Sequence, residues 1–315
     1  MRIIHYFSPW LKSLKKYQSV WAQIESVLIA ENEIYDFVPN AADIWVRDFM
    51  PFQRHDGEFV VYRYNPDYLQ CENTKYITNC RDAFLAIGGS EALSSSVCKH
   101  TSLIIDGGNM IRCTDKDGVD CVIMTTKVLY ENPGLSHHEI LLELDDIFNA
   151  EVILIPWDTE EKTGHADGMV RSIGKGRLLM NCYTDMDPNL GMIIKKALSN
   201  RFEIQDLTYG SKFRNNSWCH LNYLELRNTI LVPTANIASD KLAISQLESI
   251  MCKKCIPISM SKVISEGGAM HCISWSMNTQ IFMEEKIGFL FRCAIHSKLT
   301  TETHCKITIN PRLSK

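Results

Sequence analysis

The chain alternates short apolar runs, typical of β-strands, with segments whose apolar residues recur at helical spacing. Six apolar runs bounded by polar or glycine-containing segments predict strands, at 59–64, 102–106, 121–126, 152–157, 177–182 and 229–233. Three segments predict helices: 137–149, 188–198 with a proline at its start, and 239–251, where Ser239 is a favourable N-cap. This mixture predicts an α/β fold.

Polar or glycine-rich segments separate the predicted strands at nearly regular intervals. They are WVRDFMP around Asp48, DGGN from Asp106, GHADG around His165, RNNSWCHLNY with Asn216, and GGAMHC ending at Cys272. The steps between these five residues are all about 50–60 positions. The recurrence suggests repeated supersecondary units that each contribute one loop to a shared centre, although chance spacing of turns could produce it equally well.

Composition and charge narrow the class of protein. The 315 residues are 45% hydrophobic and 22% charged, with a net charge of −4, which gives no sign of a nucleic-acid surface and is compatible with a cationic small substrate. No segment has the length and apolar character of a membrane span, and the first residues lack the pattern of a signal peptide. Twelve cysteines without an export signal predict free thiols in a reducing cytoplasm. The one CxxC, Cys252 to Cys255, has no second pair, so structural zinc is not expected.

Cys272 is the first candidate for chemistry. A cysteine is more often a buried hydrophobe, but the preceding Gly267 and Gly268 allow backbone angles and close approaches that suit a site. If the chain is extended here, His271 faces away from Cys272, and the acid/base must come from elsewhere. His165 in TGHADG is the best candidate, and in an extended stretch Asp167 would share its face.

Asp48, Asp106 and Asp167 are three further candidates. Each of them, considered alone, could be a surface ion-pair partner, a turn former or a cap without any role in chemistry. If they share a pocket with His165 and Cys272, the carboxylates repel each other and require a cation. No metal-ligand set is apparent, so no metal is expected. A guanidinium, with five N–H donors in a fixed fork, fits two carboxylates at once, and a thiolate could attack its central carbon.

WVRDFMP, DGGN, TGHADG and GGAMHC resemble, in this order, the motifs of the guanidino-group-modifying enzymes. The nearest branch holds agmatine deiminase and the Porphyromonas-type peptidylarginine deiminase. SWCHLNYLELRNTILVP (217–233) is similar to a segment between the His and Cys motifs of that branch, and the resemblance spans about residues 40–275. It implies a five-fold pseudosymmetric α/β propeller of ββαβ-type modules, in a single catalytic domain over residues 1–315. It also implies hydrolysis of a guanidine to a urea and ammonia without metal or cofactor.

The resemblance also implies roles for five residues. Cys272 matches the nucleophile and His165 the general acid/base. Asp48 and Asp167 match the pair that binds the guanidinium nitrogens. Asp106 stands where related deiminases have an acid that orients the histidine. The substrate would be a small guanidino compound.

Two further residues are candidates for substrate binding. Trp45 either packs beside the substrate or belongs to the core. Glu161, with Glu160, either adds a carboxylate to the site or lies in a solvated turn.

Several alternatives stay open. Cys272 is followed by ISWSMNTQ rather than the Thr-Gln-Gln-like stretch of agmatine deiminases, so agmatine, free arginine and peptidyl arginine all remain candidate substrates. An amidinotransferase of the same superfamily would use the same cysteine and histidine. A guanidine-binding relative without turnover and a cysteine hydrolase acting on amides are weaker alternatives. Oligomeric state is not determined, and a homo-oligomer stays open.

Overall fold

A computed structural model describes residues 3–88, 98–209 and 217–279. Within these residues, fifteen strands form five sheets of three strands each. In chain order, the strands are β1 Ile3–Phe7, β2 Ile34–Phe37, β3 Phe52–Gln53, β4 Phe59–Arg63, β5 Cys98–Ile104, β6 Ile111–Thr114, β7 Asp120–Thr125, β8 Glu151–Ile155, β9 Val170–Ser172, β10 Arg177–Asn181, β11 Glu203–Leu207, β12 Leu224–Glu225, β13 Thr229–Thr234, β14 Lys254–Ser259 and β15 Ser274–Asn278.

The five sheets repeat one ββαβ unit. In each, a first strand pairs antiparallel with a middle strand, and the middle strand pairs parallel with a third. A helix connects the middle strand to the third, as a parallel pair requires. These five helices are Gln18–Ala30, Cys80–Ala86, His137–Phe148, Pro188–Leu198 and Ser239–Met251. The predicted five-fold α/β propeller of ββαβ modules is therefore confirmed.

The ring of modules is closed by the two ends of the described chain. β15 pairs with β1, with Ile3 opposite Asn278 and Phe7 opposite Ser274. The first module therefore takes its first strand from the last described residues and its other two from the first ones.

The middle strands are the most buried, and this explains why their sequence signal is strong. Every residue of β13 is buried, as are five of the six residues of β7. A strand covered on both faces is a continuous apolar run. All six predicted strands correspond to middle or third strands, although the strand predicted at 102–106 begins at Cys98. The missed first strands β3, β6, β9 and β12 have only two to four residues each.

All three predicted helices are present. Ser136 and Glu139 form a capping box at the start of His137–Phe148, and Asp187 caps Pro188–Leu198. The N-cap prediction for Ser239 was wrong, because Ser239 is already helical. The carboxylate of Asp240 instead accepts a hydrogen bond from the backbone N–H of Ile237 at 3.0 Å.

The remaining helices are short. The α-helices are Trp10–Ser13, Val46–Phe49, Lys127–Glu131 and Ser261–Ile264, and the 3₁₀ helices are Asp67–Leu69, Cys71–Tyr76, Gly107–Asn109, Ala166–Gly168, Tyr183–Asp185 and Ser217–Leu221. In the described part of the chain, no helix has the length and apolar character needed to cross a membrane.

The sequence motifs occupy equivalent positions in the modules. Each lies in the loop just before the first strand of a sheet, and four of these loops contain a one-turn helix: Val46–Phe49, Gly107–Asn109, Ala166–Gly168 and Ser217–Leu221. The regular spacing thus reflects one loop per module. Asn216, the marker in the fourth motif, lies outside the described residues, as does most of the 277–315 tail.

Candidate active site

The motif loops converge on two adjoining cavities that share His165 and Cys272. The larger, of about 330 Å³, also contains Asp48 and Trp45. The other, of about 230 Å³, also contains Asp167 and Asn222. Cys272, His165, Asp48 and Asp167 are each at most 7% exposed. The predicted site residues therefore lie together, buried at the bottom of one concave site.

His165 is held by Asp106. His165 Nε2 lies 2.8 Å from Asp106 Oδ2, and the hydroxyl of Tyr68 donates to the same oxygen at 2.8 Å. Gly108 makes this approach possible, because a Cβ there would lie 2.4 Å from His165 Nδ1. The DGGN motif therefore supplies both the carboxylate that orients the histidine and the space that the ring occupies.

His165 has a raised pKa that favours the charged ring at neutral pH. Burial lowers the pKa of His165, but the carboxylates of Asp48, Asp106 and Asp167 outweigh it and raise the pKa to about 10. His165 Nδ1 lies 3.8 Å from Asp48 Oδ1. An imidazolium in this position can donate a proton to a departing group.

This assignment predicts a pH-dependent stability. His165 titrates at 6.5 in the unfolded chain and at about 10 in the folded protein, so the folded state holds an extra proton between these values. Its stabilising contribution is complete below pH 6.5 and is lost as the pH rises through 10. Urea unfolding across this range should show the stability difference between wild type and His165→Gln shrinking with pH. His138→Gln, on an exposed helical surface, is the control, and a wild-type advantage independent of pH would contradict the raised pKa.

Cys272 has a raised pKa that favours the neutral thiol. Burial, followed by the charges of Asp167 and Asp48, raises the pKa of Cys272 well above its ordinary value. Its Sγ lies 3.4 Å from Asn222 Oδ1 and 3.8 Å from Asp167 Oδ2. A cation placed between these carboxylates would oppose their effect and favour the thiolate.

Asp167 contacts both His271 and Cys272. Its Oδ2 accepts a hydrogen bond from His271 Nδ1 at 2.5 Å and is also the oxygen near the Cys272 sulfur. Burial raises the pKa of Asp167, but His271, His165 and Arg171 together outweigh burial and lower the pKa. Burial, Arg171 and Arg47 lower the pKa of His271 well below its ordinary value, so a neutral ring donates to an ionised carboxylate.

The local geometry corrects two premises of the sequence analysis. Residues 270–273 form turns, not an extended strand, and the N–H of Ile273 bonds to the carbonyl of Ala269. The ring of His271 contacts Asp167 instead of the Cys272 sulfur. Likewise, Ala166–Gly168 is a 3₁₀ turn, so His165 and Asp167 do not share a strand face. His165 contacts Asp106, whereas Asp167 contacts His271 and Cys272.

Asp48 lines the larger cavity and has a carboxylate oxygen without a hydrogen-bond donor among the described residues. It is 5% exposed, and its Oδ1 accepts no hydrogen bond from the described residues. Burial raises the pKa of Asp48 well above its ordinary value; His165 opposes this, and Asp106 and Asp167 add to it. The loop is anchored by the hydroxyl of Tyr62, which donates to the carbonyls of Asp48 and Met50 at 2.7 and 2.8 Å. A buried carboxylate oxygen without a donor is costly, which suits a site that binds a cation.

Trp45 and the glycine pair form one wall of the larger cavity. Gly267 has φ +100°, which favours glycine, and a Cβ on Gly268 would lie 2.2 Å from the Trp45 ring. The indole therefore packs directly on the backbone of the loop that carries Cys272. Trp45 both lines the larger cavity and packs against a hydrophobic core cluster, so substrate contact by Trp45 stays a prediction.

Glu161 lines both cavities, but one of its oxygens organises the loop before His165. Glu161 Oε2 accepts hydrogen bonds from the Thr163 hydroxyl at 2.6 Å and from the N–H groups of Thr163 and Gly164 at 3.1 and 3.3 Å. Its placement is compatible with substrate contact, but the hydrogen bonds identify a structural contribution as well.

The sequence analysis missed two residues of the site, Asn222 and Asp43. Asn222 Oδ1 accepts hydrogen bonds from the backbone N–H groups of His271 and Cys272, at 3.0 and 3.2 Å. Asn222 fits the 50–60-residue spacing of the motifs as well as Asn216 does. The sequence analysis chose Asn216 to represent the fourth motif and therefore missed Asn222. Asp43 also lines the larger cavity, where burial, opposed by the Trp45 N–H, raises the pKa of Asp43 to about 7. Among the described residues, no group of three or more His, Cys, Asp or Glu side chains is arranged to hold a metal ion.

Several solved structures share this fold. A structural-genomics target described as a candidate agmatine deiminase has 18% identity and a TM-score of 0.67, with 88% of this chain and 92% of that chain covered. The agmatine deiminase of C. jejuni has 16% identity and a TM-score of 0.64, with 87% and 92% covered. The agmatine deiminase of Enterococcus faecalis has 18% identity and a TM-score of 0.63, with the same coverage. At these identities the likeness establishes the fold.

The sequence itself establishes the family. Among curated proteins, none is similar enough to match the chain. The profile of the Porphyromonas-type peptidyl-arginine deiminases matches residues 5–277, which include every loop of the site. The chain therefore belongs to the Porphyromonas-type peptidyl-arginine deiminase family.

Proposed function

We propose that this protein is a hydrolase that converts a guanidino group to a ureido group and ammonia. One observation carries the proposal. Cys272, His165 and Asp48 line one cavity, Asp48 Oδ1 accepts no hydrogen bond from the described residues, and Asp167 of the adjoining cavity lies 3.8 Å from the sulfur. A guanidinium is the cation whose planar, multiple donors match two separated carboxylates, and its central carbon is the electrophile that a thiolate requires.

Substrate binding prepares the nucleophile. The guanidinium donates hydrogen bonds to Asp48 and Asp167, and its charge lowers the pKa of the nearby Cys272 thiol. The thiol proton leaves to solvent as the cation enters. The thiolate therefore forms at the same time as the enzyme–substrate complex. Each charge-assisted hydrogen bond contributes roughly 1.5–3 kcal/mol, and the fixed carboxylates also stabilise the positive charge that persists during reaction.

In the first half-reaction, Cys272 attacks the guanidinium carbon to give a tetrahedral adduct. The His165 imidazolium protonates one amino group, the C–N bond breaks, and ammonia leaves. A thiouronium on Cys272 and a neutral His165 remain. Asp106 holds the ring in place for this transfer.

In the second half-reaction, water attacks the thiouronium carbon while neutral His165 accepts one of its protons. The adduct collapses, the C–S bond breaks, and the ureido product leaves. The remaining hydroxyl proton returns the sulfur to the thiol. The cycle ends with the thiol and imidazolium from which it began, and it consumes one water for each ammonia released.

The cavity lining favours a substrate with a second cationic group. Asp158, Glu160 and Glu161 line the smaller cavity, and Asp43 and Glu266 line the larger one. The larger cavity is also lined by Lys16 and Lys162, and Lys16 pairs with Glu266 at 3.0 Å. The smaller cavity is lined by neither lysine nor arginine among the described residues. In the smaller cavity the carboxylate of a free arginine would meet like charges, whereas the amine of agmatine would not. Agmatine is therefore the substrate we expect to be preferred.

A panel of guanidines tests this proposal. Agmatine, arginine and an arginyl peptide are incubated with the enzyme, and ammonia and ureido product are both quantified. We expect equal amounts of the two products, with agmatine favoured by about tenfold or more in kcat/KM, because one misplaced charge costs at least about 1.4 kcal/mol.

The same panel separates the alternatives. Transfer of the amidino group to added glycine, with little ureido product, would identify an amidinotransferase. Calorimetric binding of agmatine without any product would identify a guanidine-binding protein without turnover. Either result would overturn the proposed hydrolysis.

A further inference from the structure

A third cavity shares no lining residue with the two active-site cavities described above. It has a volume of about 230 Å³ and is lined by residues of β3, β6, β9 and β15, the first strands of four modules. Arg47, Gly107 and His271 belong to the motif loops themselves, so this cavity adjoins the loops that carry the active site. The ring of His271 lines it and also bonds to Asp167, whereas Cys272 lines only the active-site cavities.

The lining of this cavity is strongly basic. Arg47, Arg112, Arg171 and His271 all contribute to it, and none of its lining residues is an aspartate or glutamate. Arg47 and Arg171 are close enough to affect each other. Burial lowers the pKa of Arg47 to about 10, and Arg171 adds to the effect. Asp167, which lies outside the lining, offsets part of the charge of Arg47 and Arg171. Three arginines around the cavity still leave a positive charge that favours an anionic ligand.

Two guanidinium groups here have unused donors. Arg47 Nε and Arg171 Nη1 are buried, and the described residues offer no hydrogen-bond acceptor to either atom. Buried polar atoms in folded proteins are nearly always paired, so two orphaned donors beside one cavity point to a missing acceptor.

The arginines are held in place without a ligand. Arg171 packs over the ring of Tyr223, with Cζ 4.6 Å from the ring centroid. Arg112 Nη1 donates to the carbonyls of Gln53 and Arg54 at 3.0 and 3.1 Å. A preorganised guanidinium loses little side-chain entropy when it binds an oxyanion.

We propose that this cavity is a binding site for a small oxyanion, held by Arg47, Arg112 and Arg171. Planar guanidinium forks suit both phosphate and carboxylate oxygens. The size of the cavity fits an inorganic anion or a short organic acid, and the two sources are distinguished by the probes used in the test.

Calorimetric titration at constant ionic strength tests the proposal, with inorganic phosphate and succinate as separate probes. Wild type is expected to bind at least one of them saturably. Arg171→Gln is expected to weaken that binding by about tenfold or more, because it removes a charge-assisted contact, whereas Arg171→Lys retains part of the affinity. Arg177→Gln is the matched control, since Arg177 is exposed on β10.

Circular dichroism and thermal melting confirm that each variant is folded before titration. If Arg171→Gln does not fold, Arg112→Gln takes its place, since Arg112 is an exposed residue of the lining. Absence of saturable binding of both probes to folded wild type would overturn the proposal. Equal weakening by the Arg177→Gln control would also overturn it. The titration does not depend on turnover, so its outcome is independent of the proposed deiminase reaction.

Discussion

Cys272→Ala is expected to abolish ammonia release from every guanidine while leaving the protein folded. The variant lacks the only sulfur that lies between Asp167 and Asn222, and no other described group there can attack the guanidinium carbon. We expect turnover to fall by roughly 10⁴-fold or more, as when the nucleophile of an enzyme is removed. The cost in stability should be only about 1 kcal/mol, because a single buried sulfur is lost. Coupled ammonia detection and urea unfolding measure the two effects.

Cys255→Ala is the matched control for this variant. Cys255 is a buried cysteine, 5% exposed, in β14 and away from the cavity. It should show a similar small loss of stability and unchanged turnover. Agmatine should still bind to Cys272→Ala, because Asp48 and Asp167 are intact. Continued ammonia release by Cys272→Ala would eliminate Cys272 as the nucleophile.

Asp48→Asn is expected to impair catalysis severely without weakening the fold. The substitution keeps the shape of the side chain but removes the charge that we assign to guanidinium binding. Loss of charge-assisted hydrogen bonds should lower kcat/KM by about a hundredfold or more. Burial already raises the pKa of Asp48 well above its ordinary value, so the neutral amide relieves a cost that the folded carboxylate bears. The free energy of unfolding should therefore stay the same or increase.

The contrast between activity and stability makes this prediction specific. Steady-state kinetics and urea unfolding of the same preparation are compared with those of Asp146→Asn, an aspartate on the exposed surface of helix His137–Phe148. The control should match wild type in both measurements. A destabilised Asp48→Asn, or one that retains normal kcat/KM, would show that Asp48 is a structural residue.

Much of the fold could be predicted from the sequence because its middle strands are buried on both faces. β7, β10 and β13 are apolar runs whose pattern survives without tertiary context. The first strands could not be predicted, because β3 and β12 have two residues each and depend on their neighbours for pairing. The closing pair β1–β15 joins residues from opposite ends of the described chain, a contact that local patterns cannot reveal.

The candidate site was predictable to a similar extent. Loop spacing and residue chemistry brought together Asp48, His165 and Cys272, which do line one cavity. The contact between His271 and Asp167 was missed because the chain turns at 270–273. An alternating strand pattern fails wherever the backbone turns, and functional side chains are often presented by turns.

Detection of a covalent adduct on Cys272 tests the central claim most directly. Enzyme in excess over agmatine is quenched with acid at successive times before one turnover is complete, and the peptide containing Cys272 is analysed by mass spectrometry. The proposed mechanism predicts a transient species heavier than the free peptide by the mass of agmatine minus ammonia, which decays as the ureido product appears. Formation of ureido product with Cys272 unmodified at every time point would contradict it.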